Sequence, residues 1–103
     1  MLHAHNVFFT LNDGSPAQSA TLVRECSEYL KGHDGMVAFS AGTRAAGYER
    51  DVNDLQFHVS LHVVFADNKS HDAYQTTARH KEFIARNKAN WKTVRVFDSS
   101  IEK

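Results

Sequence analysis

Between Leu55 and Phe65 every odd-numbered residue is apolar (Leu55, Phe57, Val59, Leu61, Val63, Phe65), while the even positions include Gln56, His58, Ser60 and His62. A period of two is the repeat of a β-strand, in which alternate side chains point to opposite faces. The stretch predicts a strand with one face in a core and the other polar but uncharged. A chain containing it must build a sheet with one face buried, and the remaining segments have to supply the neighbouring strands and the cover.

They do so in a definite order. From His3 to Leu11 the odd positions His3, His5, Val7, Phe9 and Leu11 share one face, and Ala4, Asn6, Phe8 and Thr10 share the other. Asn12-Asp13-Gly14 is a turn. Ser15 is an N-cap, and Pro16 is a first helical residue with its φ already set. Leu22, Val23, Cys26, Tyr29 and Leu30 recur at helical spacing, and Gly32 suits a left-handed helix stop. Met36 to Ala41 reads as a second strand and residues 42–54 as an exposed loop. After the 55–65 strand, Asp67 or Asn68 caps a helical stretch to Thr77. A second helical piece runs from there to about Lys88 and buries Phe83 and Ile84. Trp91 leads into a closing strand, Thr93–Asp98. The order β-α-β-β-α-β predicts an α+β, ferredoxin-like fold with a four-stranded antiparallel sheet and helices on one face only. No repeat or linker divides residues 1–103, so one domain is expected.

The composition narrows the functional classes. Hydrophobic residues make up 42% and charged residues 23% of 103 residues, which is globular rather than disordered or membrane-embedded. Lys+Arg and Asp+Glu number 12 each, so no net field draws in nucleic acid or an anionic membrane; neither is expected as a partner. Cys26 is the single cysteine, consistent with a reducing compartment, and the N-terminal stretch reads as a strand rather than a signal peptide. A cytoplasmic protein is expected.

The uncovered sheet face is predicted to carry Asn6, Phe8, Thr10, His58, Ser60, His62, Val64, Arg95 and Phe97. Phe8 and Phe97 exposed together would form an apolar patch, so a homodimer through the open sheet face is expected.

With the strands placed, the chain from about residue 2 to residue 98 resembles the stress-responsive A/B barrel (Dabb) family. The resemblance is carried by HVSLHVVFADNKSHDAYQTTARHKEFIARNKANWKTVRVFD, residues 58–98. This segment is similar to the family's apolar strand ending in Phe, then Tyr, then His-x-x-Phe, and a last strand ending Val-Phe-Asp. The opening AHNVFFTL, residues 4–11, is similar to the family's first strand with its early His. The resemblance implies a dimeric α/β barrel in which two sheets pack face to face. It does not imply one activity, since the family holds uncharacterised proteins, a ring-forming plant stress protein and polyketide cyclases of the olivetolic acid type. From those cyclases it implies a pocket Tyr at Tyr74, a pocket His at His80 and a first-strand His at His5. A further pocket His of the cyclases falls on Val59.

Three readings follow. In the first, a Tyr/His pair between sheet and helices binds or transforms a small apolar carbonyl compound, with Tyr74, His80 and His5 as the candidate catalytic residues. In the second, the protein is a non-enzymatic, stress-associated oligomer. The third, by analogy of fold alone, is a monooxygenase-like or haem-binding dimeric barrel. No cofactor and no metal are expected: His3 and His5 lie about 7 Å apart on one face with no third ligand in view, and His58 and His62 are about 13 Å apart. Arg44, Tyr48 and Arg50 are ordinary loop residues. Trp91 is expected to close the core with its N–H on a backbone carbonyl.

Overall fold

The computed structural model describes residues 1–102. Its elements are β1 (Leu2–Leu11), α1 (Pro16–Leu30), β2 (Met36–Thr43), β3 (Val59–Phe65), α2 (Asn68–Tyr74), α3 (Ala78–Asn87), a 3₁₀ turn (Lys88–Asn90) and β4 (Trp91–Ile101). The strands form one sheet in the order β2-β3-β1-β4 with every neighbouring pair antiparallel. This is the predicted ferredoxin-like arrangement, with the helices on one face.

Local chemistry sets the helix boundaries. Ser15 Oγ accepts the Gln18 N–H at 3.3 Å ahead of Pro16, and Gly32 takes φ +78° just past the helix end, a conformation that favours glycine. Asp67 accepts the Ser70 N–H at 2.8 Å and Thr77 accepts the His80 N–H at 3.1 Å. These two caps divide the second helical region at Thr77 and so fix where Tyr74 and His80 stand.

The core lies between sheet and helices. β1 supplies Val7 and Phe9, β3 supplies Val59, Leu61, Val63 and Phe65, and the helices supply Leu22, Cys26, Leu30, Tyr74 and Phe83. Burying each large apolar side chain contributes about 1.5–3 kcal/mol. Cys26 is fully buried, and burial pushes its thiol up to about 12. It is a packing residue, as its place on the α1 stripe implied.

The strand over 55–65 begins later than its alternation suggests, at Val59. Leu55 is 39% exposed, and Phe57 packs across the open face against Phe8 with ring centroids 5.0 Å apart. The ladder stops because the Leu11 N–H is taken by Nδ1 of His58 at 3.0 Å, while the His58 N–H goes to the Phe9 carbonyl. The His58 ring thus turns back over the turn, where a Cβ at Gly14 would overlap it. His58 therefore leaves the open face on which the alternation had put it. The other predicted members stay: register places Asn6 opposite both His62 and Phe97, and Phe8 opposite Ser60 and Arg95. Among the described residues no helix is long and apolar enough to cross a membrane.

Candidate functional site

His5 comes from β1, Tyr74 from the end of α2 and His80 from the first turn of α3, and the fold brings all three together. The Tyr74 ring centroid is 4.7 Å from that of His80 and 6.1 Å from that of His5. They line a cavity of about 170 Å³ between sheet and helices whose other walls include Val7, Phe9, Leu61, Phe83, Ile84, Trp91, Val94 and Val96. Drug-sized pockets run from about 300 to 1,000 Å³, so this one suits a compact molecule; an apolar protein cavity of about 150 Å³ holds benzene. A larger groove of about 570 Å³ lies elsewhere, beside α1 and the 3₁₀ turn. It is polar, and Arg86 there is tied to Glu25 at 2.7 Å, so it offers no free chemistry of comparable kind.

Three residues that line the cavity each hold a buried polar atom without a hydrogen-bond partner among the described residues: the Tyr74 hydroxyl, His80 Nδ1 and Trp91 Nε1. Each costs about 1–3 kcal/mol in that state. Trp91 thus departs from expectation. Its ring sits 5.1 Å from Phe9 and 5.7 Å from Phe83, centroid to centroid, and this packing leaves its N–H away from any carbonyl. The Val59 position, where the cyclases carry a further His, is fully buried in the core and adds nothing polar.

The protonation states follow from burial. Desolvation drives the Tyr74 phenol well above its ordinary range, so it stays a donor. Desolvation first, then the neighbouring His5, His33 and His71, lowers His80 to about 4. His80 is neutral at pH 7. The unfolded chain takes up this proton near pH 6.5 and the folded chain only near 4, so His80 erodes stability as pH falls through that window. Allowing for solvent screening, the loss is about 1–2 kcal/mol. Urea unfolding of the protein and of His80→Gln between pH 7 and 4 should show the shallower pH slope in the variant; parallel slopes would exclude this role.

A second group of side chains adjoins the cavity, and strand spacing alone gave no sign of its full extent. Asp98 faces the helices because β4 pairs with β1 in the register His5 opposite Asp98. Its Oδ1 lies 2.7 Å from His5 Nδ1, 2.8 Å from His3 Nε2 and 3.5 Å from Nε2 of His71 on α2. His3 and His71 stack with centroids 4.1 Å apart. Burial lowers the His5 pKa against the pull of Asp98. For His3, burial is outweighed by hydrogen bonds to Asp98 and Asn68, and the pKa rises.

The comparisons agree with this architecture. No curated protein matches the chain. Among solved structures, a Dabb-family protein of ferredoxin-like fold from Mesorhizobium loti is 19% identical at a TM-score of 0.78, the match covering 99% of this chain and 98% of that one. A dimeric ferredoxin-like protein of unknown function from Thermobifida fusca is 14% identical at 0.79, covering 98% and 92%. A hydroxynitrile lyase from Passiflora edulis is 15% identical at 0.77, covering 99% and 94%. At these identities the likeness is one of fold. The sequence model of the stress responsive A/B barrel domain matches residues 4–101, and with nearly the whole chain inside that match, the protein belongs to the stress-responsive A/B barrel (Dabb) family.

Proposed function

We propose that the cavity between sheet and helices binds, and acts on, a compact and largely apolar carbonyl compound. The observation that carries this reading is that three residues lining one apolar cavity, Tyr74, His80 and Trp91, each hold a buried polar atom without a partner among the described residues. Buried polar groups are nearly always paired, so three unmatched groups on cavity-lining residues, brought to the cavity by small side-chain rotations, fit a ligand that matches them. The Tyr74 hydroxyl hydrogen-bonds the carbonyl oxygen. The neutral His80 imidazole takes a proton from the adjacent carbon, and its proton affinity rises as enolate charge develops beside it. His5, held through Nδ1 by Asp98, is a fourth polar residue lining the cavity. That a hydroxynitrile lyase shares the fold is consistent with small-molecule chemistry on this scaffold.

Trp91 is the only tryptophan and lines the cavity, so its fluorescence reports occupancy directly. Titration with benzaldehyde, a probe of suitable size, should give a saturable change in Trp91 emission. A linear response up to the solubility limit of the probe would sink the reading.

A second element of function is assembly. The open face carries Phe8 in edge contact with Phe57, His62 and Phe97, at centroid distances of 5.0, 5.9 and 5.7 Å, and Phe97 is 51% exposed. An aromatic cluster flanked by Asn6, Ser60 and His62 has the make-up of an interface centre with hydrogen-bonding surroundings. The relative from Thermobifida fusca is itself dimeric. We infer a homodimer through this face, leaving the cavity on the helix side of each protomer.

A further inference from the structure

We propose that His3, His5, His71 and Asp98 form a binding site for one divalent transition-metal ion of the zinc type, beside the cavity. One ligand atom from each of the four residues lies within 4.8 Å of the others, and three imidazole nitrogens converge on a single Asp98 oxygen at 2.7, 2.8 and 3.5 Å. Ligand atoms at about 2.0–2.2 Å from a tetrahedral ion stand roughly 3.3 Å apart, so modest side-chain rotations bring this set to coordination distance. Three nitrogens and one carboxylate oxygen make up a donor set that suits zinc and its neighbours rather than magnesium or calcium.

The surroundings of the ligands favour a metal over a simple ion pair. His3 Nδ1 is 2.8 Å from Asn68 Oδ1 and His71 Nδ1 is 3.1 Å from Asp72 Oδ1. If those nitrogens donate their hydrogens to these oxygens, both Nε2 atoms carry lone pairs, that of His3 facing Asp98 and that of His71 lying between Asp98 at 3.5 Å and the Gln75 amide nitrogen at 3.2 Å. That is the arrangement in which an outer hydrogen bond orients a metal-bound histidine. Lone pairs and a carboxylate oxygen repel unless something positive lies among them. A single dication among the four ligand atoms is within reach of every one of them. The spacing His3-x-His5 showed only two ligands; pairing of β4 with β1 supplies Asp98 and docking of α2 supplies His71. The site shares His5 with the cavity but does not depend on what the cavity binds.

The test is titration of chelator-treated protein with Co(II), followed by its visible d–d absorption, and with Zn(II) in competition. One ion per chain is expected, with the intense spectrum of a four-coordinate site. The His71 side chain is only 12% exposed and packs on His3 and Phe65, so circular dichroism first verifies the fold of His71→Ala, which should weaken uptake by at least about a hundredfold. Asp72→Asn should weaken it about tenfold. His33→Ala, which removes a histidine outside the cluster, should leave it unchanged. Absence of stoichiometric uptake, uptake unaltered by His71→Ala, or uptake lost with His33 would each overturn the proposal. None of these results bears on the Trp91 titration with benzaldehyde, so the two ideas fail separately.

Discussion

Tyr74→Phe should make the protein more stable and its cavity less able to hold a carbonyl ligand. The Tyr74 ring is 1% exposed, packed against Phe65, His33 and His80, and its hydroxyl has no partner among the described residues. Removing that oxygen keeps the ring's packing and relieves an unmatched buried dipole, a gain of about 1 kcal/mol. The same oxygen is the proposed donor to the ligand, so the affinity for benzaldehyde read through Trp91 should drop by about tenfold, the scale of one lost hydrogen bond. Opposite signs in the two measurements are the signature of a group kept for function at a cost in stability. A variant that is less stable, with unchanged affinity, would mean that the hydroxyl serves the fold, and the cavity reading would fall with it.

The contrast between what was legible in the sequence and what was not follows from the range of the interactions involved. Ser15-Pro16 and Asp67 act within four residues of themselves, and they cap where the sequence offered them, Asp67 rather than Asn68; the break at Thr77 was legible, its capping role was not. The convergence of His5, Tyr74 and His80 was legible only through resemblance, since they lie on three different elements. Alternation misled at Leu55 and Phe57. A loop can alternate by chance, and what ended the strand at Val59 was the bond from the Leu11 N–H to a histidine ring, made across a sequence distance that periodicity does not sample. Asp98 and His71 were missed for the same reason. Each is ordinary in its own segment, one at the end of a strand and one on a short polar helix. They acquire meaning only through a register in which Asp98 falls opposite His5 and a helix docking that lays His71 over His3. A search for carboxylates opposite strand histidines, given the predicted order of strands, would have found the first of them.

The largest effect of all is expected at the open face. In a two-fold dimer each residue of the interface occurs twice, so a substitution is felt in both protomers. Phe97 is half exposed and lies against Phe8 at the middle of the aromatic cluster, while neighbouring Arg95 is turned to Asp54 at 2.6 Å. Aromatic residues at an interface centre contribute about 2–4 kcal/mol each on truncation, and Phe97→Asp would add two carboxylates to a surface that is to be dried. The dimer dissociation constant should therefore rise by about a thousandfold or more, turning dimers into monomers at micromolar concentration in sedimentation velocity. The exposure of Phe97 in the single chain means that the monomer should still fold, which circular dichroism would verify. Val52→Asp, in a loop position 85% exposed, should leave sedimentation unchanged. If Phe97→Asp remains dimeric, the contact lies elsewhere on the molecule. If the parent protein is itself a monomer at these concentrations, the aromatic face has another occupant, and the fold would then have to keep Phe8 and Phe97 apart from water by some other means.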